Sequence, residues 1–185
     1  MIPSPRIYLC GPAGCGKSTV ARLLQRDHDF RRVSLGELCR RECGRRGWPE
    51  DREHLQAAGD LIRRRDPAGV VLAAGIVRLR GPLVVDGVRL VAEAAYLRAH
   101  GLTGVAVRAP GPVRAARLLS REGTPLVPDH LTERQAGEAP ADLWFINAGE
   151  DLEALGTAVR LLVARLALRQ AEHARQSLAR GRGRS

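Results

Sequence analysis

The chain has almost no lysine. Of its 185 residues 30 are Lys or Arg, and every one of these except Lys17 is arginine. A slim, flexible ammonium enters spaces where a wide planar guanidinium would collide, so the one exception marks a place where shape matters as well as charge. Aromatic residues are also scarce, at 3%, which removes the stacking platforms on which proteins hold single-stranded nucleic acid. No apolar run nears the ~18 residues of a membrane span. The opening Met1-Ile2-Pro3-Ser4-Pro5-Arg6 is no signal stretch, so a cytoplasmic protein with no membrane partner is expected. The four cysteines, at 10, 15, 39 and 43, form no C-x-x-C pair and are expected as free reduced thiols rather than zinc ligands.

The formal net charge is +10. Because the arginines are scattered through every segment, this excess says little about a polyanionic partner. Only the end of the chain concentrates charge, with Arg175, Arg180, Arg182 and Arg184 among few apolar residues. Residues 171–185 read as a frayed helix end or disordered basic tail, the one feature that keeps nucleic acid open as a partner. The oligomeric state is not legible.

Gly11-Pro12-Ala13-Gly14-Cys15-Gly16-Lys17-Ser18 fits the phosphate-binding loop pattern G-x-x-x-x-G-K-[ST] at every specified position. Its setting is the one such a loop needs. Arg6 to Cys10 is a short apolar run suited to a buried strand, and Val20, Leu23 and Leu24 follow at helical spacing. Glycines let successive backbone N–H groups turn inward as an anion nest, and the helix N-terminus adds its partial positive charge. Residues 11 to 19, from Gly11 to Thr19, are therefore expected to hold ATP, with Lys17 on its outer phosphates and Ser18 on the accompanying Mg2+.

The rest of the chain alternates strand and helix. Strands are predicted at 30–34, 82–86, 104–108 and 143–147, and helices at 35–43, 52–65, 68–79, 91–100, 112–121 and 152–169. With the strand before the loop this makes a three-layer α/β fold of the P-loop NTPase kind, a five-stranded parallel sheet with helices on both faces. One domain over residues 1–170 is expected, with a short lid at about 121–140, where Gly, Pro and charge cluster. Asp86 ends an apolar strand, from which an acid can hold magnesium.

Val33-Ser34-Leu35-Gly36-Glu37-Leu38-Cys39-Arg40 resembles the segment that contacts the acceptor nucleotide in adenylate kinase-type nucleoside monophosphate kinases. Asp86-Gly87-Val88-Arg89 resembles the Asp-Gly-x-x-Arg motif of the same kinases, one residue shorter. Arg114, Arg117 and Arg121 resemble the arginines leading into their lid. Ala141-Asp142, Ile146-Asn147-Ala148-Gly149 and Leu152 are instead similar to the closing strand of dephospho-CoA kinases and phage-type deoxynucleotide kinases. There are departures. Leu35 stands where adenylate kinases have threonine, the lid is too short for a zinc-bearing version, and no aspartate follows the second strand as it does in dephospho-CoA kinases.

The resemblance implies transfer of a phosphoryl group from ATP to a small phosphorylated acceptor, with residues of about 36–80 forming the acceptor region. Lys17, Arg117, Arg121 and Arg134 are then expected at the transferring phosphate, since this chemistry asks chiefly for positioning and positive charge. Arg40 and Arg89 would grip the acceptor's own phosphate, Ser34 and Asp86 would line its site, and Glu37 would orient the attacking oxygen. Arg114 reads as surface, and the Arg63-Arg64-Arg65 run as a solvated helix face. Two further classes stay open: a regulatory ATPase, against which Gly87 stands in place of the catalytic glutamate, and a nucleic-acid-binding nucleotide switch. A phosphate-free acceptor would give Arg40 and Arg89 no reason to converge.

Overall fold

The computed structural model describes residues 4–64, 66, 68–122, 135–149 and 151–182. Five strands, β1 (Arg6–Cys10), β2 (Arg31–Ser34), β3 (Leu83–Asp86), β4 (Thr103–Arg108) and β5 (Leu143–Ile146), form one sheet in the order β2-β3-β1-β4-β5. Every pairing is parallel, as the alternating pattern predicts. The central strand β1 is buried from Ile7 to Cys10, which is why it reads as an unbroken apolar run.

Strand side chains alternate between two core layers. Ile7, Leu9, Val84, Val105 and Val107 meet Val20, Leu23 and Leu24 of α1 (Lys17–Asp27), and Leu155, Val159, Leu162 and Leu166 of α7 (Leu152–Arg182). On the other face Tyr8, Cys10, Leu83, Val85 and Ala106 pack with Val70 and Val71 of α4 (Gly69–Ala73), and with Ala94 and Leu97 of α5 (Val91–Ala99). Each fully buried aliphatic side chain contributes about 1.5–3 kcal/mol. A smaller cluster, Cys39, Cys43 and Ala58 with Trp48 and Leu55, joins α2 (Leu35–Arg46) to α3 (Arg52–Arg63) away from the sheet. Helix α6 (Gly111–Glu122) follows β4.

Some boundaries differ from the sequence expectation. The single helix expected over 68–79 is instead α4 and a 3-10 turn, Ile76–Arg78, separated at Gly75, whose φ of 61° breaks the helical ladder. Helix α2 passes through Gly44 and stops at Gly47, where φ is 67° and the N–H bonds back to Cys43 and Gly44. Helix α7 continues to Arg182, past Leu166, the last buried anchor among the described side chains, through a stretch of Ala, Arg, Gln and Glu with high helix propensity. Of the expected lid, residues 123–134 lie outside the described residues. Among the described residues no helix is long and apolar enough to cross a membrane.

Candidate active site

The chain between β1 and α1 wraps around the carboxyl edge of the sheet. Gly11, Gly14 and Gly16 all have positive φ, at 129°, 76° and 91°. Gly16 has no alternative, because a Cβ there would stand 2.2 Å from Asn147 Nδ2. The Lys17 ammonium folds over this loop and donates to the carbonyls of Gly11 at 2.7 Å and Pro12 at 2.9 Å, with Cys15 Sγ at 3.6 Å. Helix α1 begins at Lys17, so its first N–H groups open toward the same point.

Three side chains from distant elements hold the loop from behind. Asn147, just past β5 and 4% exposed, donates from Nδ2 to the Cys15 carbonyl at 3.1 Å. Arg117 of α6 reaches the Gly14 carbonyl and Asn147 Oδ1, both at 3.4 Å, and the Gly149 carbonyl. Arg114, expected at the surface, donates to the Ala13 carbonyl at 2.9 Å. A helix-spaced arginine in so arginine-rich a chain gives no signal that separates a loop contact from a surface charge.

A cleft of about 990 Å³ runs from this loop over the ends of β2 and β3 to α2 and α3. Ala13, Gly14, Lys17 and Ser18 line one end, and Ser34, Glu37, Arg40, Asp86 and Arg89 line the rest, so part of the phosphate loop and the residues expected at an acceptor share one space, while Arg117, expected at the transferring phosphate, does not line it. Ser34 caps β2 into α2, and parallel register sets it beside Asp86. Arg40 pairs with Glu50 at 3.6 Å. The side chain of Arg121, and all of Arg134, lie outside the described residues.

Asp86 is 2% exposed. Its Oδ2 accepts from Arg32 Nη2 at 3.1 Å, and Arg32 Nη1 reaches Glu37 Oε1 at 3.2 Å. Arg32, a strand residue that sequence reasoning passed over, thus bridges two carboxylates of the cleft. Asp86 Oδ1 is buried with no hydrogen-bond partner, an acceptor placed for something else in the cleft. Among the described residues no group of three or more His, Cys, Asp or Glu could hold a metal unaided. One carboxylate oxygen and the Ser18 hydroxyl on the same cleft suit magnesium, which keeps most of its waters and is shared with phosphates.

Burial pushes Cys10 up to about 11, and burial likewise raises Cys39 in the cleft wall, against the pull of Arg63 and Arg89. All four cysteines are buried and free, as expected.

Solved structures with the same arrangement of elements include a gluconokinase from Sinorhizobium meliloti 1021, 19% identical, with a TM-score of 0.59 and coverage of 93% of this chain and 98% of that one. The TT1252 structure from Thermus thermophilus is 24% identical, with a TM-score of 0.57 and coverage of 89% and 97%. A shikimate kinase from Acinetobacter baumannii is 15% identical, with a TM-score of 0.58 and coverage of 88% and 94%. At such identities the likeness shows the fold. No curated protein matches the sequence. The AAA domain family profile (AAA_18) matches residues 7–134, a span that holds the phosphate loop, the Arg32–Asp86 bridge and the α2 and α3 walls of the cleft. The chain belongs to the AAA domain family.

Proposed function

We propose that the chain is an ATP-dependent kinase that transfers the γ-phosphoryl group to a small phosphorylated acceptor, in the first place a (deoxy)nucleoside monophosphate. The observation that carries this reading is the continuity of the cleft from Lys17 and Ser18, past Asp86, to Arg40 and Arg89. In-line transfer needs donor phosphate and acceptor in one water-poor space, and the guanidinium forks supply bidentate grips for a second phosphate.

Lys17 turns from its loop carbonyls to the β- and γ-oxygens of ATP. Ser18 and Asp86 would hold magnesium through its waters, and the ion would supply positive charge beside the phosphates. Arg32 holds Asp86 and Glu37 at fixed positions, and Glu37 orients the acceptor's attacking oxygen. Arg117 acts from the loop side.

Solved neighbours whose names make them kinases of small molecules, a gluconokinase and a shikimate kinase, support a small acceptor and favour a second reading in which it carries no phosphate. An ATP-consumption screen over nucleoside monophosphates, deoxynucleoside monophosphates, dephospho-CoA and small alcohols decides between them. Turnover with a monophosphate supports the first reading. Turnover confined to alcohols or dephospho-CoA replaces it, and ATP hydrolysis without any acceptor removes both.

A further inference from the structure

Glu93 is the most deeply buried charged group described, with 0% exposure. Its Oε1 accepts two N–H groups of Arg63, from Nε at 3.1 Å and Nη2 at 2.8 Å, and its Oε2 accepts the backbone N–H of Arg89 at 3.0 Å and of Leu90 at 3.1 Å. Four donors satisfy this one carboxylate, yet a buried ion pair recovers little more than the hydration its charges lose. An apolar pair would hold α3 against α5 equally well. The pair therefore calls for a reason other than stability.

Its surroundings point to the cleft. Arg63 lines it, although only 12% of that side chain is exposed. Four residues back on the same helix stands Gly59, buried and in the helix interior, where glycine is a poor choice. A Cβ there would lie 2.6 Å from Arg63 Nη1 and 3.5 Å from Cys39 Sγ. The missing side chain is the seat of the guanidinium. Meanwhile the same Glu93 carboxylate grips the backbone of Arg89, so one buried group fixes the spacing between Arg63 and the turn that carries Arg89.

Building on the kinase reading above, we propose that Arg63 is a further acceptor-recognition residue, seated by Gly59 and positioned by Glu93 to contact the acceptor's anionic group beside Arg89. Two guanidinium groups at a fixed separation match a dianionic phosphate better than one group on a mobile chain.

The test measures, by titration calorimetry on the full-length protein, binding of nucleoside monophosphates, of the parent nucleosides, and of an ATP analogue with a non-transferable γ-phosphate. Arg63→Met should weaken the best monophosphate about tenfold or more, the scale of one charge-assisted hydrogen bond, while the parent nucleoside and the ATP analogue stay within about twofold. Arg63→Met takes from Glu93 its side-chain partner and risks misfolding, so Gly59→Ala is the second variant. It displaces only the far end of a flexible side chain and favours the helix, and it should weaken the monophosphate about threefold or more with no loss of thermal stability. If the wild type binds a monophosphate and neither variant changes that, or if the losses fall equally on the nucleoside and the ATP analogue, Arg63 is structural and the kinase reading survives. If the wild type binds no monophosphate, the acceptor class and this role for Arg63 both fall.

Discussion

Replacing Asn147 by alanine tests how the phosphate loop is held. Asn147 sits where β5 ends, its backbone N–H bonded to the Arg108 carbonyl at 2.7 Å, its amide spanning the Cys15 carbonyl and Arg117. Alanine leaves the Cys15 carbonyl without this donor beneath a residue with 0% exposure, and opens a gap against Gly16. An unsatisfied buried acceptor costs about 1–3 kcal/mol. For a domain of this size about 2 kcal/mol corresponds to a fall in Tm of about 4–8 °C. The loop's N–H groups should also lose their common aim, so affinity for a non-hydrolysable ATP analogue should fall about tenfold or more. Asn147→Asp keeps the volume and the Arg117 contact but sets a carboxylate oxygen against the Cys15 carbonyl, and should weaken the analogue at least as much. Scanning calorimetry and equilibrium titration read both effects. Wild-type affinity in either variant, at a temperature where it is folded, would refute the idea that Asn147 orders the loop.

Three other outcomes are expected. Lys17→Arg should abolish turnover although charge is kept, because the wider head cannot occupy the position defined by the Gly11 and Pro12 carbonyls; near-normal turnover in a steady-state assay contradicts this. Arg40→Ala and Arg89→Ala should raise the acceptor KM about tenfold or more and leave ATP binding near normal, whereas equal damage to both substrates removes them from the acceptor site. Stability should fall as pH rises from about 9 to about 11: with its folded pKa raised by burial to about 11, Cys10 holds a proton that the unfolded thiol has lost, a stabilisation present below the unfolded value and worth about 2–3 kcal/mol less by pH 11. Cys10→Ala should flatten that part of a Tm-against-pH curve, and an unchanged slope would show that the thiol is not the cause.

The sheet was legible because each strand is a short apolar run, and the loop because its pattern leaves little freedom of residue type. Cleft residues were legible only where a motif named them: Ser34, Arg40, Asp86 and Arg89 line one cleft with the loop. Arg32, Arg63 and Asn147 were not, for a common reason. Their contacts join positions far apart in the chain, 54 residues for Arg32 with Asp86, 30 for Arg63 with Glu93 and 132 for Asn147 with Cys15. Local composition cannot distinguish a buried arginine from a solvated one. The break at Gly75 was missed because the apolar pattern of 70–79 continues through it, and only the backbone dihedral ends the helix.

The most direct test follows the phosphoryl group itself. With ATP labelled by 18O in the γ-phosphoryl group, and the acceptor selected by the screen, mass spectrometry should find the label as one new phosphoryl group on that acceptor, in amounts matching the ADP formed and lost in Lys17→Ala. Label recovered only as inorganic phosphate, at a rate indifferent to every acceptor, would contradict the kinase account.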